Sequence, residues 1–572
     1  MKSKFLIIVL ILGVLSSCKR FLDETPQGVI SDEDLNTPEN VDKMVIAAYS
    51  GLGNDYFEAP YSSMWPYGSI RGGDTYKGGD GPGDIGDFHL YETFSLNRVD
   101  NSKTDLVWYR LYVCIGRVND ALRRLNAIDQ SVYPLKSERL GEMYFLRGHF
   151  YFLAKILFKY VPYIDETVPK ATYDSVSNRT LSDDELWNKI TGGFRDAADR
   201  LPQTRTDAGR PDKYAAKAYL AKALLYQAYK QNEDNAVTSV DAALLTEVNN
   251  LCDEVINSGN YHLNTDFAAN FLTQHENSAE SVFAIQYSKD DGTPKGRLDE
   301  GHKLSYPMNQ EYGCCGFHVP SHDLINAFKT DEKGLPMYNS YNSNDVAASG
   351  DYTTGTFDPR LDHTVAIPGH PYKYKANFIF QRSWARAPEV YDAFASMKEV
   401  VAPDDPSFQK IPPFMSSSKN WDIIRYDDVL LFKAEALIEL GRQDEALPLI
   451  NQLRTRAAGS LSLLKKADGT PISHYGIDVY KPGINCTWTR DFARQALRWE
   501  RRLEFATEGY RFFDLVRWGI AAEVINTYFS IEKTRSAHLA EAKFTKGRDE
   551  YLPIPLNQIN YSKGLYQQNK GW

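Results

Sequence analysis

The chain has 572 residues, 42% of them hydrophobic and 24% charged, an ordinary globular composition with length enough for a large core. The formal charge is −10, from 65 basic and 75 acidic side chains, so there is no basic excess of the kind that nucleic acid or an anionic membrane surface would need from a main partner. The 36 tyrosines offer flat apolar faces that also carry a hydroxyl.

The N-terminus MKSKFLIIVLILGVLSSCKR has a basic start at Lys2 and Lys4, an apolar run from Phe5 to Leu12, and then Leu15-Ser16-Ser17-Cys18. The run is too short to cross a bilayer as a mature helix and reads as an export signal. Its ending resembles a bacterial lipobox, which implies cleavage before Cys18, acyl chains on the new N-terminal cysteine, and anchoring without a transmembrane helix. Residues 1–17 are thus the expected lipoprotein signal peptide and 18–40 a lipidated tether. Five cysteines remain, Cys114, Cys252, Cys314, Cys315 and Cys486, an odd and scattered set that is no disulfide framework.

Residues 41–260 read as a helical part interrupted by a Gly/Asp-rich loop. Thr37-Pro38-Glu39 starts a first helix to about residue 52. An aromatic cluster follows (Tyr56, Phe57, Tyr61, Trp65, Tyr67), then RGGDTYKGGDGPGDIGDFH from Arg71 to His89, whose glycines predict a loop. A long loop in a compact protein is usually functional. The spacing of Asp74, Asp80, Asp84 and Asp87 does not match an EF-hand, and a polar ligand-contacting loop is preferred to a calcium site or a merely solvated one. Helical periodicity resumes over 106–126, 138–160, 186–201, 215–230 and 248–258.

Residues 261–420 are rich in Pro, Gly, Asn and Tyr and predict an irregular, ligand-binding insertion with short strands at Ser281–Ser288 and Asn377–Trp384. Residues 421–572 open on RYDDVLLFKAEALIELGRQDEALPLINQLRTRAAG (Arg425–Gly459), two amphipathic helices with Gly441 as C-terminal cap of the first and Asp444 as a cap for the second. The pattern is that of a tetratricopeptide (TPR) hairpin. A single hairpin cannot bury its own apolar faces, so about three or four such pairs are expected, separated by the insertion rather than stacked consecutively. In RWERRLEFATEGYRFFDLVRWG (Arg498–Gly519), Glu500, Glu504 and Glu508 recur at i, i+4, as do Arg498 and Arg502, giving weak helix support of about 0.2–0.5 kcal/mol per pair. Gly509 reads as the stop. A structural ion-pair network clamped by aromatics is preferred here to an anion site.

Taken together, these segments resemble the SusD-like (RagB/SusD) outer-membrane lipoproteins of Bacteroidetes-type bacteria. The resemblance runs from Cys18 and Phe21-Leu22-Asp23…Pro26, through the hairpin with Asn451-Gln452-Leu453-Arg454…Arg456-Ala457, to Glu500-Arg501-Arg502…Glu508-Gly509…Phe513-Asp514-Leu515…Arg517-Trp518-Gly519 and the tail Leu552-Pro553-Ile554-Pro555 and Gln568-Asn569…Gly571. It implies a mainly α fold, TPR-like hairpins forming a SusD-like scaffold with a large irregular insertion. It also implies a cell-surface-facing, outer-membrane, glycan-binding lipoprotein that delivers oligo- or polysaccharide to a SusC-like TonB-dependent barrel. Capture of peptides on the same architecture, and a surface glycoside-processing enzyme, are the alternatives.

Sugar binding needs aromatic faces against pyranose C–H faces, with polar groups at the rim. From their loop positions, the expected ligand residues are Trp65, Tyr67, Arg71, Asp74 and Tyr76 from the first loop, and Tyr306, Tyr312 and Trp384 from the insertion. No HExxH, GxSxG or P-loop occurs, and no cofactor or catalytic residue is assigned. Asp404-Asp405 is an acidic pair whose spacing across a cleft the sequence does not show. Cys314, Cys315, His318 and His322 form the one constellation of zinc-type ligands. Adjacent cysteines fill two tetrahedral corners poorly and Pro320 breaks the intervening helix, so a vicinal disulfide or plain packing is preferred and no metal is assigned.

Overall fold

The computed structural model describes residues 36–205, 207–294 and 296–572. Cys18, the export signal and most of the tether lie outside the described residues. Among those described, no helix is long and apolar enough to cross a membrane.

The chain is mainly helical. Helix α1 (Pro38–Tyr49) begins where Thr37 accepts a hydrogen bond from the Asn40 N–H, with Pro38 at a position that needs no donor. Helix α2 (Gly86–Thr93) and strand β1 (Thr75–Gly78) occupy much of the stretch expected to be a bare loop. Then come α3 (Ser102–Ala127), α4 (Lys136–Phe158), α5 (Asp183–Arg200), α6 (Lys213–Ala228) and α7 (Ala242–Asn257), each against the next, as the apolar periodicity predicted. Asp183, Asp184 and Glu185 sit in the first turn of α5, where negative charge suits the helix dipole, and Ser182 and Glu185 form a capping box.

The hairpin expected at Arg425–Gly459 is present as α8 (Tyr426–Glu439) and α9 (Gln443–Gly459). Gly441 adopts φ +79°, and the N–H groups of Gly441 and Arg442 donate to the carbonyls of Ile438 and Leu437 at 3.0 and 2.8 Å, a Schellman ending. Asp444 does not cap α9. It lies in the first turn of that helix, which starts after Arg442 with no side-chain cap.

One expectation is corrected by the packing. The pairs are stacked consecutively in space, because α8 packs directly on α7 although the insertion separates them in sequence. The insertion loops out from this junction. Its two ends are zipped together by strand β2 (Ser281–Ile285) and the last strand before α8, Trp421–Arg425, antiparallel with Trp421 opposite Ile285 and Arg425 opposite Ser281. All of these strand residues are buried except Asp422, so the base of the insertion belongs to the main core.

Within the insertion, β3 (Phe317–Pro320) pairs with β1, setting Thr75 opposite Pro320 and Gly78 opposite Phe317, and so ties the N-terminal loop to the insertion. Strand β4 (Lys375–Ile379) pairs with Pro371–Tyr372, and β5 (Phe408–Ile411) forms a hairpin with β6 (Phe414–Ser417). A satellite core of Tyr306, Tyr312, Tyr372, Phe380, Met397 and Met415 fills this region separately from the main one. The C-terminal part contains α10 (Arg490–Glu504), α11 (Arg511–Arg517), α12 (Ala521–Glu532) and a short last helix, Leu556–Tyr561.

The charges at Arg498, Glu500, Arg502, Glu504 and Glu508 do not pair with one another. Glu500 and Glu504 meet Arg360 of the insertion at 2.6 and 2.8 Å, and Glu508 meets Arg425 at 2.5 Å and Lys398 at 2.7 Å. Farther along, Asp514 is held by Arg501 and Arg517, both at 2.8 Å, and Arg517 reaches Glu435. This is a network joining distant elements, lined by aromatic rings such as Phe505 and Trp518.

Candidate functional site

The structure buries seven of the eight residues expected to touch ligand, and this corrects those assignments. Trp65 is fully buried; its indole donates to the Gly301 carbonyl at 3.0 Å and its ring meets Phe88 edge-on at 5.2 Å. Tyr67 packs on Tyr91. The Arg71 guanidinium lies 4.0 Å over the Phe512 ring and donates to the Asp549 carbonyl. Asp74 is shared between Arg502 and Arg511 at 3.2 and 3.3 Å. The Tyr76 hydroxyl donates to Glu532. Tyr306 and Tyr312 belong to the satellite core, where the Tyr312 hydroxyl donates to the Val401 carbonyl at 2.7 Å. A ring with no accessible face cannot stack on a sugar, so these aromatics are pillars between the first loop, the insertion and the C-terminal helices.

Nor do the aspartates of the loop gather around one point. Asp74 is neutralised as above, Asp84 by Arg386 at 3.0 Å, and Asp87 accepts from the Ser102 hydroxyl. Cys314 and Cys315 are joined in a vicinal disulfide, which removes both thiols from metal binding. His318 faces Glu399 at 2.7 Å, and His322 faces Asp345 and Asp392 at 2.9 and 3.0 Å. In the acidic pair, Asp404 meets Lys375, and Asp405 accepts from Thr273 and Ser407 at 2.7 Å.

Trp384 is the exception. It is half-buried at the edge of the satellite core, with Phe378 4.9 Å away and Phe380 and Tyr372 behind at 5.4 and 6.1 Å. Phe378 is also half-buried, and Asn377, Gln381, Arg382 and Ser383 around the two rings are exposed. The strap is held by its backbone, since the Met308 N–H donates to the Trp384 carbonyl at 2.7 Å. Arg386 ties it to the Gly/Asp-rich loop through Asp84 and to the disulfide loop through the Cys315 carbonyl at 3.4 Å. Two ring faces, rigidly backed and ringed by amide and guanidinium donors, form a platform that suits an apolar ring face bearing hydroxyls at its edge.

Sequence reasoning missed Phe378, Arg382 and Arg386. A signal was present: in the short strand β4 and its extension, Phe378 and Phe380 are two apart and must share a face.

His322 anchors this strap from beneath, because Asp392 also holds Arg382 at 2.6 Å. Burial alone would lower the histidine, but hydrogen bonds to Asp345 and Asp392, with Glu532 nearby, raise it from 6.5 to about 9. Arg535, paired with Asp345 and Glu532, is the facing cation. A raised folded value means that the stabilising contribution is complete below about pH 6.5 and is lost as pH rises through about 9. The stability gap between wild type and His322→Gln is therefore expected to be largest near pH 6 and to close by about pH 10. An equal gap in urea melts at both ends would show that His322 acts by packing alone.

Comparison with known proteins places this architecture. Residues 279–572 match the family described as "SusD family", and residues 20–225 match one described as "Starch-binding associating with outer membrane". The chain is similar to SusD-like protein P38 of Formosa agariphila, 25% identical over 541 residues that cover 92% of this chain and 93% of that one. It is also similar to SusD-like protein P2 of the same organism, 24% identical with both chains covered in full. Among solved structures, a SusD homolog from Bacteroides thetaiotaomicron aligns with a TM-score of 0.69 at 19% identity, covering 94% of this chain and 98% of that one. Surface glycan-binding protein A from Bacteroides thetaiotaomicron, in complex with laminarihexaose, aligns with a TM-score of 0.63 at 20% identity, covering 93% and 99%. With one family match spanning more than half of the chain and the helical scaffold shared throughout, this chain belongs to the SusD family.

Proposed function

We propose that this protein is a cell-surface glycan-capture lipoprotein of the outer membrane. It is anchored by lipid on Cys18, holds oligo- or polysaccharide without cleaving it, and delivers it to a SusC-like TonB-dependent barrel. No cofactor or metal takes part. The observation that carries the reading is the half-buried Trp384–Phe378 pair, 4.9 Å between centroids, rimmed by exposed polar side chains at the edge of the insertion. A fold relative that holds laminarihexaose supports the ligand class. The acidic pair Asp404-Asp405 supports capture over hydrolysis, since both carboxylates are engaged by side chains rather than facing each other across a cleft.

A platform of two rings and a few exposed hydrogen bonds gives about 5–7 kcal/mol, micromolar to millimolar affinity. The test is affinity electrophoresis of the protein starting after Cys18 against plant, fungal and host polysaccharides. Retardation by at least one, with no release of reducing ends, is expected. Trp384→Ala is expected to weaken that retention about tenfold, roughly 1.4 kcal/mol, with the protein still folded at a lowered urea midpoint because the ring also packs on the satellite core. Retention unchanged in Trp384→Ala would remove the platform from the function, and release of reducing ends would make the protein an enzyme.

A further inference from the structure

A cavity of about 650 Å³ opens between α10, α12 and the Tyr338–Tyr341 segment of the insertion, sharing no lining residue with the recess beneath Trp384. Its size is that of a site for a small organic ligand. Trp499 stands in its wall with Tyr338 and Tyr341 edge-on at 5.4 and 5.0 Å, all three half-buried. Four guanidinium groups reach the same space: Arg494, Arg498 and Arg502, each one turn from the next on α10, and Arg511 at the start of α11.

These arginines are not equivalent. Arg502 is satisfied by Asp323 and Asp74, and Arg511 by Asp74 and the Gly72 carbonyl at 3.1 Å. Among the described residues Arg498 has no carboxylate within salt-bridge distance, and its buried Nε has no hydrogen-bond partner; the Trp518 ring lies 5.0 Å from the guanidinium carbon, and Glu435 and Glu439 act on it from beyond ion-pair distance. A smaller recess shares Arg498, Arg502, Arg511 and Trp518 with the cavity and is lined as well by Tyr510, whose buried hydroxyl lacks a partner, and by Asp514, which Arg501 and Arg517 hold. Exposed Asp491 and Glu523 also line the cavity, and Asp491 is already held by Arg494 at 2.8 Å. A cation without a salt-bridge partner in the wall of an aromatic cavity is complementary to one anionic group on a ring-shaped ligand.

We propose that this cavity is a second binding site, selective for a carboxylate-bearing sugar residue of the uronic acid class, with the carboxylate on Arg498 and the ring against Trp499. The sugar class rests on the glycan-capture reading above; the selectivity for a carboxylate rests on Arg498. The test is calorimetric titration of the protein starting after Cys18, at low salt, with digalacturonate, its neutral counterpart digalactose, and acetate. Digalacturonate is expected to bind at least tenfold more tightly than either control, and Arg498→Met, which keeps the stem and removes the charge, to abolish that preference. Arg498→Lys is expected to keep part of it, as a point charge without the bidentate fork. Trp384→Ala is expected to leave digalacturonate binding intact while weakening retention of neutral polysaccharide, which separates failure of this site from failure of the platform. Digalacturonate binding no stronger than that of digalactose, an unchanged preference in Arg498→Met with a wild-type urea midpoint, or acetate binding as tightly as digalacturonate would each overturn the proposal.

Discussion

Arg360→Met is expected to lower the stability of the protein by about 3–5 kcal/mol, read as a fall in the urea midpoint. Arg360 is fully buried and grips three carboxylates, Asp358 at 2.7 Å, Glu500 at 2.6 Å and Glu504 at 2.8 Å. The surrounding network holds six carboxylates (Glu280, Asp358, Asp427, Glu500, Glu504, Glu508) and five cations (Arg360, Lys398, Arg425, Arg454, Arg456). Burial, opposed by Arg425 and reinforced by Glu280 and Glu504, pushes Asp427 well above the usual carboxylate range. Removing Arg360 leaves buried negative charge with no compensation, and that penalty is larger than anything the ion pairs gained. The triple variant Arg360→Met, Glu500→Gln, Glu504→Gln is expected to recover part of the loss. Glu445→Gln, at the exposed Arg442–Glu445 pair, is expected to leave the midpoint unchanged. A loss for Arg360→Met no larger than that of the surface control would mean that water reaches this network in solution.

The network shows where sequence reasoning stops. The α8–α9 hairpin was legible because its apolar residues repeat every three or four positions and Gly441 marks the end of a turn. Both signals are local. The charges of α10 were equally visible, but their partners were not: Arg360 lies 140 positions from Glu500 in sequence, and nothing at i, i+4 reveals a tertiary pairing. The same limit explains the candidate site. An aromatic residue in a Gly-rich stretch is read as a ligand face or as core with equal ease, and burial is decided by what arrives from elsewhere. For Trp65 it was Phe88, Gly301 and His318; for Tyr312 it was Tyr372 and Phe408. Trp384 stayed half-buried because its ring neighbours, Tyr372, Phe378 and Phe380, all come from β4, its extension and the segment paired with it. The closure of α7 onto α8 across the insertion was invisible for the same reason, since neither helix carries a mark of its partner.

Gly509→Ala is expected to cost about 2–4 kcal/mol and to loosen the stretch from Tyr61 to Tyr76, read as faster amide exchange there and in residues 505–512. Gly509 looked like the stop signal of a helix, but α10 ends at Glu504 with Phe505 as its cap, four residues earlier. Its actual role is contact. At φ +84° a Cβ would lie 2.2 Å from the Ser63 carbonyl oxygen and 3.0 Å from the Met64 carbonyl carbon, and a Cβ on the facing Gly68 would lie 1.6 Å from the Gly509 oxygen. Two glycines therefore let the first loop and the turn after α10 touch backbone to backbone. That contact sets the depth at which Trp65, Tyr67, Arg71 and Asp74 are buried, and Asp74 in turn fixes Arg502 and Arg511 at the wall of the cavity. Gly441→Ala supplies the control. Its φ of +79° carries the same left-handed strain, yet nothing lies within 4 Å of the added Cβ, so only about 1 kcal/mol is expected. The excess at Gly509 over Gly441 measures the close approach itself, and equal losses at the two positions would show that conformational strain, not the touching backbones, accounts for the whole effect.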